Sequence, residues 1–443
     1  MVSHTQLRSM TSLNTEQASA LEAIKAGRNI FLTGAGGTGK SHTIRSIVAW
    51  GRSVDKRIDV TAMTGCAALL LGLKAKTLHS WAGIGLGRES PASLAESIKR
   101  SRKTLRRWMD CQILIIDEIS MMMPELLEKL DFIARRVRRK EAERFGGIQL
   151  VLAGDFCQLP PVTKDSEEKE KPLFAFQSAI WTTLLDETHH LTKIERQPDP
   201  AFQAILTEAR MGHLSPASIA ILNGRKGLPW KTDEIRPTLI FSRNSDVSTI
   251  NAVNMEALEG EETVFKAATV TGAAGSSTAT GGSTDSDIET QLTRLDLDAP
   301  YEPILTLKVG AQVMLLTNLD QERGLVNGSR GVVLHFSATG LPVVRFLSVP
   351  EPVVVDRATW MLPDNDTVGR AQIPLKVAYA ITIHKSQGAT LDCALIDIGS
   401  NTFEYGQAYV ALSRVKSLEG LHIWSLNPAK VRCHPAVAAF YAV

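Results

Sequence analysis

A glycine-rich octapeptide, GAGGTGKS at residues 34–41, lies directly after the apolar run RNIFLT and before HTIRSIVAWG. The pattern G-x-x-x-x-G-K-[ST] between a strand and a helix predicts a phosphate-binding loop. Glycine lets backbone N–H groups turn towards phosphate oxygens, and the helix N-terminus adds partial positive charge. We expect Lys40 to reach the β- and γ-phosphates and Ser41 to bind Mg²⁺. The alternative is a glycine-rich turn that binds no nucleotide.

Two adjacent carboxylates follow a second apolar run, in ILIIDEIS at residues 113–120. The run predicts a buried strand. Asp117 at its end would hold Mg²⁺ through water, and Glu118 would orient or deprotonate the attacking water. Alone, such a pair is more often a surface feature, but with the phosphate loop it predicts hydrolysis of a nucleoside triphosphate. These two motifs leave open a small-molecule kinase, a GTPase-like switch and a motor.

Bulk composition excludes several classes of protein but does not identify a partner. The 443 residues exceed one ordinary core, and 49 Lys plus Arg nearly balance 47 Asp plus Glu. Five cysteines without a C-x-x-C pair argue against a zinc site or a disulfide framework and favour a reducing, intracellular compartment. No run approaches the ~18 apolar residues of a membrane span, and the N-terminus has no signal-peptide core.

The chain divides into regions of different hydrophobic period. Residues 13–163 alternate short apolar runs with helical segments, which predicts an α/β fold with a parallel sheet. A weaker α/β region contains TLIFSRN, VAYAIT and CALIDI. Residues 267–287 are rich in Ala, Gly, Ser and Thr and are predicted to form a flexible loop. Residues 304–350 alternate in twos around Asn327-Gly328, which predicts a small antiparallel barrel.

The segment LIIDEISMMMPELLEKLDFIARRVRRKEAERFGGIQLVLAGDFCQLPPV, residues 114–162, resembles the PIF (petite integration frequency) family of superfamily 1B DNA helicases, which are related to RecD. The resemblance implies an α/β fold with two RecA-like motor domains, an inserted Src-homology-3-like β-barrel and a small wedge insert. It places the first RecA-like domain at 1–190, with the wedge at about 86–108. The second would comprise 191–295 and 366–443, and the barrel 296–365.

The resemblance also assigns residues to the ATP site. LNTEQASAL supplies Gln17 as the adenine reader, GDFCQLPPV supplies Gln158 as the γ-phosphate sensor, and LTKIERQ supplies Arg196 as a phosphate contact. YVALSRVKSLEGL supplies Arg414 as the arginine finger. In isolation, Gln17 could be an incidental helix residue, Arg196 part of a solvated charge pair, and Arg414 an ordinary helix residue. The full predicted nucleotide-binding set is Gln17, Gly34, Ala35, Gly36, Gly37, Thr38, Gly39, Lys40 and Ser41.

Three further motifs resemble the family's single-stranded-DNA contacts: TAMTGCAALLL, TLHSWAGIG and TIHKSQGATLD. The candidate contacts are Thr64, Gly65, His79, Thr382, His384, Lys385, Ser386 and Gln387. Hydroxyl, lysine and backbone N–H donors at this density suit successive phosphates of one strand. The basic residues of the wedge insert could contact DNA as well, although a charge run is usually a solvated face.

The implied activity is an ATP- and Mg²⁺-dependent helicase of DNA replication, repair and recombination. It would translocate 5′ to 3′ on single-stranded DNA and unwind duplex or structured DNA, with G-quadruplexes as one candidate. ATP would bridge the two motor domains, Lys40, Ser41, Asp117 and Glu118 coming from one and Arg196 and Arg414 from the other. We expect a monomer from a bacterium, phage or virus that acts at single-strand/duplex junctions. An RNA-directed helicase and a phosphate-loop kinase or switch that does not translocate remain open.

Overall fold

A computed structural model describes residues 13–85, 87–161, 173–229, 235–271, 285–320, 322–362 and 365–442. The chain separates into two compact units. The first takes in the chain up to Met63, Thr77–Phe156 and Pro160–Arg196; the second takes in Thr64–Lys76, Cys157–Leu159 and the chain from Gln197 onward. The sequence predicts a domain boundary after residue 190, whereas the first unit continues to Arg196. Arg196 therefore lies in the first unit.

The first unit is built on a six-stranded sheet of order β3-β2-β4-β5-β1-β6. Its elements are α1 (Thr15–Lys25), β1 (Ile30–Gly34), α2 (Lys40–Ser53), β2 (Ile58–Ala62), β3 (Lys76–Thr77, at the unit boundary), α4 (Leu78–Ala82), α5 (Pro91–Arg100), α6 (Arg102–Asp110), β4 (Ile113–Asp117), α7 (Pro124–Arg138), β5 (Gln149–Gly154), α8 (Trp181–Leu184) and β6 (Glu187–Leu191). The helix α3 (Gly65–Leu71), between β2 and β3, belongs to the second unit. Strands β1 and β4 are buried along their whole length, because helices cover both faces of such a sheet.

The predicted wedge region forms two short helices, α5 and α6, capped by Ser90 and Ser101. Trp108, near the end of α6, is fully buried, and its indole N–H donates to Ala82 O at 3.0 Å. Its ring packs against Trp81 with centroids 4.7 Å apart. The basic side chains have mixed roles, since Arg107 donates to Ser80 O at 3.0 Å while Arg106 pairs with Asp110 at 3.2 Å.

The second unit contains a four-stranded parallel sheet of order β18-β7-β19-β20. Its strands are β7 (Thr238–Phe241), β18 (Ala380–Thr382), β19 (Ala394–Ile398) and β20 (Leu421–Leu426). Its helices are α9 (Pro200–Arg210), α10 (Pro216–Asn223), α11 (Asn244–Glu256), α13 (Ile383–Ser386), α14 (Gln407–Leu412) and α15 (Pro435–Tyr441). The predicted α/β class with parallel sheets is confirmed in both units.

Three antiparallel sheets complete the second unit. Their strands are β8 (Thr263–Lys266), β9 (Ala268–Thr271), β10 (Ile304–Leu307), β11 (Gln312–Leu315), β12 (Arg330–Phe336), β13 (Pro342–Phe346), β14 (Val353–Val354), β15 (Ala358–Leu362), β16 (Asn365–Gln372) and β17 (Leu375–Val377). The largest has the order β14-β13-β12-β11-β17 and encloses a core that includes Val313, Val333 and Val344. The other two sheets are the two-stranded β10-β8 and the three-stranded β15-β16-β9. Helix α12 (Asp285–Asp298) packs on the three-stranded sheet.

The predicted loop at residues 267–287 is wrong at both ends. Ala268–Thr271 forms β9, because its Thr-Val-Thr run has the β-branched side chains that suit a strand. Helix α12 begins at Asp285 and ends at Asp298. The intervening residues 272–284 lie outside the described ranges.

An ion pair between a buried arginine and a partly exposed aspartate joins the five-stranded sheet to the segment just before β19. Arg330, in β12, has a side chain that is 1% exposed and bonds both carboxylate oxygens of Asp392, at 3.1 and 3.0 Å. The same guanidinium donates to Arg236 O at 2.6 Å. In the described ranges, no helix is long and apolar enough to cross a membrane.

Replacing Trp108 by Ala should destabilise the first unit by about 3–5 kcal/mol, because it removes a buried ring and leaves Ala82 O without its donor. The neighbouring Met109 is 49% exposed, so Met109→Ala should change stability by less than about 0.5 kcal/mol. The shift in urea-unfolding midpoint measures both. Equal shifts would show that Trp108 is not a core residue.

Candidate nucleotide site and strand-binding loops

The predicted phosphate loop lies between the carboxyl end of β1 and the first turn of α2. Gly39 has φ +92° and stands at the N-cap position of α2. A Cβ there would overlap Gln17 Nε2, so only glycine fits both the backbone conformation and the space. The loop therefore presents backbone N–H groups at a helix N-terminus, which suits a phosphate.

Lys40 and Thr38 brace the phosphate loop from within. Lys40 Nζ donates to Gly34 O at 2.7 Å and to Ala35 O at 3.0 Å. Thr38 Oγ1 also donates to Ala35 O, at 2.9 Å. Ser41 lies in the first turn of α2, where its hydroxyl is part of the same loop. The lysine ammonium is thus held at the loop that would surround the phosphates.

The predicted acidic pair lies at the same edge of the sheet. Strand β4 pairs in parallel with β5, and β5 with β1, so Asp117 at the end of β4 shares its edge with the phosphate loop. Burial raises the pKa of Asp117 to about 7, with Glu118 adding to the rise and Lys40 and Arg45 opposing it. Glu118 has φ +57°, a strained conformation of the kind that clusters at functional sites.

This donor set fits a Mg²⁺–nucleotide. A buried carboxylate beside a second carboxylate is disfavoured unless a cation neutralises it. Ser41 and Asp117 supply the oxygen ligands that Mg²⁺ prefers, and Mg²⁺ normally completes its shell with waters and substrate phosphates. Asp117 is 7% exposed, so it would bind such an ion in a largely desolvated place.

Gln17 lies directly under the phosphate loop, but its side chain already has two structural partners. Its Oε1 accepts from Asn14 N at 3.1 Å, as part of the capping box of α1. Its Nε2 donates to Thr38 O at 3.3 Å, and the residue is 4% exposed. The residue thus links α1 to the loop, and its role as adenine reader stays a prediction.

Arg196 lies in a different unit from the one predicted. The motif order predicts that it belongs to the second RecA-like domain, whereas the structure groups it with the first unit. The reason lies in its backbone, because Arg196 N and the preceding Glu195 N donate to Gly37 O, at 3.3 and 2.9 Å. The segment after β6 is therefore bonded to the phosphate loop, and a phosphate contact by the Arg196 side chain remains a prediction.

Gln158 and Asp155 follow the end of β5. Gln158 is 6% exposed and belongs to the short segment Cys157–Leu159 that groups with the second unit. Asp155 is fully buried and comes directly after Gly154, which pairs with Thr33 beside the phosphate loop. Asp155 is not among the residues predicted from the sequence, although it follows an apolar run, as Asp117 does.

Arg414 lies just after α14 in the second unit and is 3% exposed. Its Nε donates to Val410 O at 2.9 Å, and one terminal nitrogen donates to Ser413 Oγ at 2.7 Å. An arginine with so little exposed area is costly to bury unless its donors are bonded. The side chain is thus held in a defined position.

Two of the three predicted strand-binding motifs lie together in the second unit. Helix α3 starts at Gly65, and Thr64 Oγ1 accepts from Ala67 N at 3.2 Å. A Cβ on Gly388, in the TIHKSQG motif, would lie 2.5 Å from Leu70 Cδ1 of α3. The third motif differs, because His79 is a half-buried residue of α4 in the first unit.

Within TIHKSQG, the candidate contacts differ in exposure. His384 and Lys385 are exposed, and Gln387 is half-buried. Ser386 is fully buried and its hydroxyl donates to Ile383 O at 2.7 Å. Thr382 Oγ1 accepts from Lys385 N at 3.3 Å, as the N-cap of α13. The two hydroxyls therefore shape the loop, while His384 and Lys385 are the side chains it presents to solvent.

A cavity of about 280 Å³ beside this loop is lined by Lys376, a lysine that is not among the predicted site residues. Lys376, in β17, lines it together with Lys385, Glu302 and residues of α11. Burial lowers the pKa of Lys376 to about 8 and raises the pKa of Glu302. A lysine inside the apolar run IPLKVAYAIT was the signal that could have identified it.

Substituting Gly39 by Ala should weaken nucleotide binding at least about tenfold, because the new methyl group is strained at positive φ and meets Gln17. Binding of a fluorescent ATP analogue measures the effect. Gly27→Ala is the matched control, since Gly27 has φ +81° but open space around it. If both variants bind nucleotide equally well, the loop does not hold the phosphates.

The chain matches known proteins over almost its whole length. A model of the PIF1-like helicase family matches residues 12–214, and a model of the 2B domain of DNA helicase Pif1 matches residues 292–336. The human ATP-dependent DNA helicase PIF1 is 42% identical over 433 residues, which is 97% of this chain and 63% of the human protein. The chain therefore spans less than two thirds of that relative's length.

Two solved structures share the fold. The crystal structure of Pif1 helicase from Candida albicans has 35% sequence identity and a TM-score of 0.76, and the match covers 98% of this chain and 99% of that one. Pif1 helicase from Bacteroides in complex with ADP-AlF3 and ssDNA has 28% identity, a TM-score of 0.65 and coverage of 98% and 97%. This chain belongs to the PIF1-like helicase family.

Proposed function

We propose that this chain is an ATP-dependent DNA helicase that moves 5′ to 3′ on single-stranded DNA and unwinds duplex or structured DNA. The observation that carries the proposal lies in the second unit, where Leu391 N donates to Arg414 O at 2.8 Å. Leu391 is the penultimate residue of the predicted strand-binding motif TIHKSQGATLD, and Arg414 is the candidate arginine finger. A motor must couple strand binding to hydrolysis, and this bond connects the two candidate groups.

In this proposal the first unit binds ATP and activates water. The phosphate loop holds the phosphates, Lys40 neutralises their charge, and Glu118 orients or deprotonates the attacking water. Mg²⁺, held by Ser41 and Asp117, would neutralise charge on the transferred phosphoryl group. Gln158 is the proposed γ-phosphate sensor and Arg196 a phosphate contact.

The second unit supplies Arg414 and most of the proposed strand contacts. An arginine finger is worth roughly a thousandfold or more in rate, because it stabilises charge in the transition state. Thr64, Gly65, His384 and Lys385 would hold the strand, with His79 added from the first unit. If the affinity of the strand-binding loops for single-stranded DNA alternates between high and low during each ATP cycle, the protein would move along the strand.

Relatives and local geometry support DNA as the polymer and roles for the inserted regions. The human relative is named a DNA helicase, and the Bacteroides structure contains ssDNA. The five-stranded antiparallel sheet is the proposed Src-homology-3-like barrel. Four of its strands lie within residues 296–365, and the fifth, β17, lies beyond them. Helices α5 and α6 are the proposed wedge that splits the duplex, and exposed Arg102 and Lys103 are its candidate phosphate contacts.

Strand displacement from tailed duplexes tests the direction and the polymer. The chain should displace a labelled strand from a 5′-tailed DNA duplex and leave a 3′-tailed duplex intact. Glu118→Gln should lower the displacement rate by about 10²–10⁴-fold, because water activation is lost while ATP still binds. A G-quadruplex placed after the 5′ tail tests structured DNA in the same assay.

Two results would overturn the proposal. ATP turnover that is the same with and without oligonucleotides would favour the switch, and preferential displacement from RNA-tailed duplexes would favour an RNA helicase. A Glu118→Gln variant that unwinds at the parent rate would remove the role of that carboxylate.

Replacing Lys385 by Gln should weaken ssDNA binding and reduce the slope of log K against log salt by about 0.7, the value for one phosphate contact on a single strand. Lys226→Gln is the matched control, because Lys226 is also exposed but pairs with β20, at the opposite edge of the sheet from β18. Fluorescence anisotropy over a salt series measures both slopes. An equal change in the two variants would mean that Lys385 acts only through net charge.

A further inference from the structure

A single side chain holds the carbonyl groups on both sides of Arg414. Gln197 Nε2 donates to Ser413 O at 3.2 Å and to Val415 O at 2.9 Å. Gln197 is fully buried and is separated from Ser413 by 216 positions along the chain. Since one amide nitrogen has two hydrogens, these bonds use its whole donor capacity.

We propose that Gln197 is a positioning residue for Arg414, and the proposal rests on the proposed function of Arg414 as arginine finger. Fixing the carbonyls before and after one residue restricts the backbone dihedrals between them, and these set the direction of its Cα–Cβ bond. The backbone of Arg414 is thus fixed, which reduces the number of positions that its guanidinium can take during the reaction. Such preorganisation lowers the barrier of the chemical step.

The opposite side of the same segment is held by the predicted strand-binding loop. Leu391 N donates to Arg414 O at 2.8 Å, and Lys416 N donates to Leu391 O at 2.9 Å. The backbone from 413 to 416 is therefore bonded to Gln197 on one side and to Leu391 on the other. Because Gln197 holds the Ser413 and Val415 carbonyls, a shift of the strand-binding loop would change the direction of the Arg414 Cα–Cβ bond relative to Gln197.

Gln197 is itself anchored at the start of α9. Gln203 Nε2 donates to Gln197 O at 2.6 Å, and Asp199 caps the helix. Gln197 Oε1 is buried and, within the described ranges, has no hydrogen-bond partner. An unsatisfied buried acceptor costs about 1–3 kcal/mol, so the amide is a poor choice for stability alone. Its contribution lies in the two carbonyls that its nitrogen fixes.

The test compares Gln197→Leu with the parent chain in steady-state, ssDNA-stimulated ATP hydrolysis. Leucine keeps the volume but removes both donors. We expect kcat to fall about a hundredfold, as for a displacement of roughly 1 Å at a catalytic group. KM for ATP and the Kd for ssDNA should change less than about threefold, because those contacts come from other residues. An unchanged kcat would overturn the proposal.

Gln312→Leu is the matched control. Gln312 is buried in the same unit, and its Nε2 also clamps two carbonyls, Arg236 O at 2.8 Å and Ala378 O at 3.1 Å. We expect both variants to lower the thermal midpoint, but only Gln197→Leu to lower kcat. If kcat falls equally in both, Gln197 has only a structural role.

A double-mutant cycle separates failure of this inference from failure of the proposed function. Arg414→Ala alone should lower kcat strongly, and adding Gln197→Leu to it should have little further effect, because residues that act through one another are non-additive. If Arg414→Ala keeps the parent kcat, the proposed function of Arg414 fails. If Arg414→Ala lowers kcat to a rate that is still measurable and the double variant loses a further hundredfold, the positioning role alone fails.

Discussion

Parallel backbone pairing in the first sheet is the constraint on which the nucleotide site depends. The strands β4, β5 and β1 are neighbours with parallel register, so their carboxyl ends meet at one edge. That edge receives the phosphate loop after β1, Asp117 after β4 and Asp155 after β5. The buried apolar strands hold these ends in place, so the groups at the edge are placed by regular secondary structure and not by loops alone.

The nucleotide site could be predicted because its signals are local. GAGGTGKS and ILIIDEIS each join a strand to candidate site residues within a few positions. The hydrophobic period and the motif spacing were therefore sufficient to locate these residues at strand ends. The same alternation of apolar runs and helical segments predicted the parallel sheets. Gln197, by contrast, matters only through bonds to residues more than 200 positions away, and Lys376 only through the cavity around it. The bonds of Gln197 leave no pattern in a single sequence, and for Lys376 the signal is only a lysine inside the apolar run IPLKVAYAIT.

The errors also have physical causes. The low-complexity composition of residues 267–287 hid a short strand and a helix start, because both gain their stability from packing on other elements. Arg196 was assigned to the second domain by motif order, whereas two backbone bonds to Gly37 hold it in the first unit. The Ser386 hydroxyl donates to Ile383 O within its own loop, and its contact with a strand stays a prediction. The residue type shows which hydrogen bonds or charges a side chain can provide, and the fold determines which partner it contacts.

The pairing of the buried Arg330 with Asp392 limits how independent the five-stranded sheet can be. Such an insert is easily imagined as a detachable module, gained or exchanged without disturbing its host. Yet the cation belongs to the insert, and the carboxylate is the last residue of the predicted strand-binding motif TIHKSQGATLD. Removing the carboxylate alone would leave the buried Arg330 guanidinium without its charge partner, whereas Asp392 is partly exposed to solvent. Host and insert are therefore expected to have changed together during descent, and chimaeras that exchange this sheet between relatives should tolerate a new partner only when both charges travel with it.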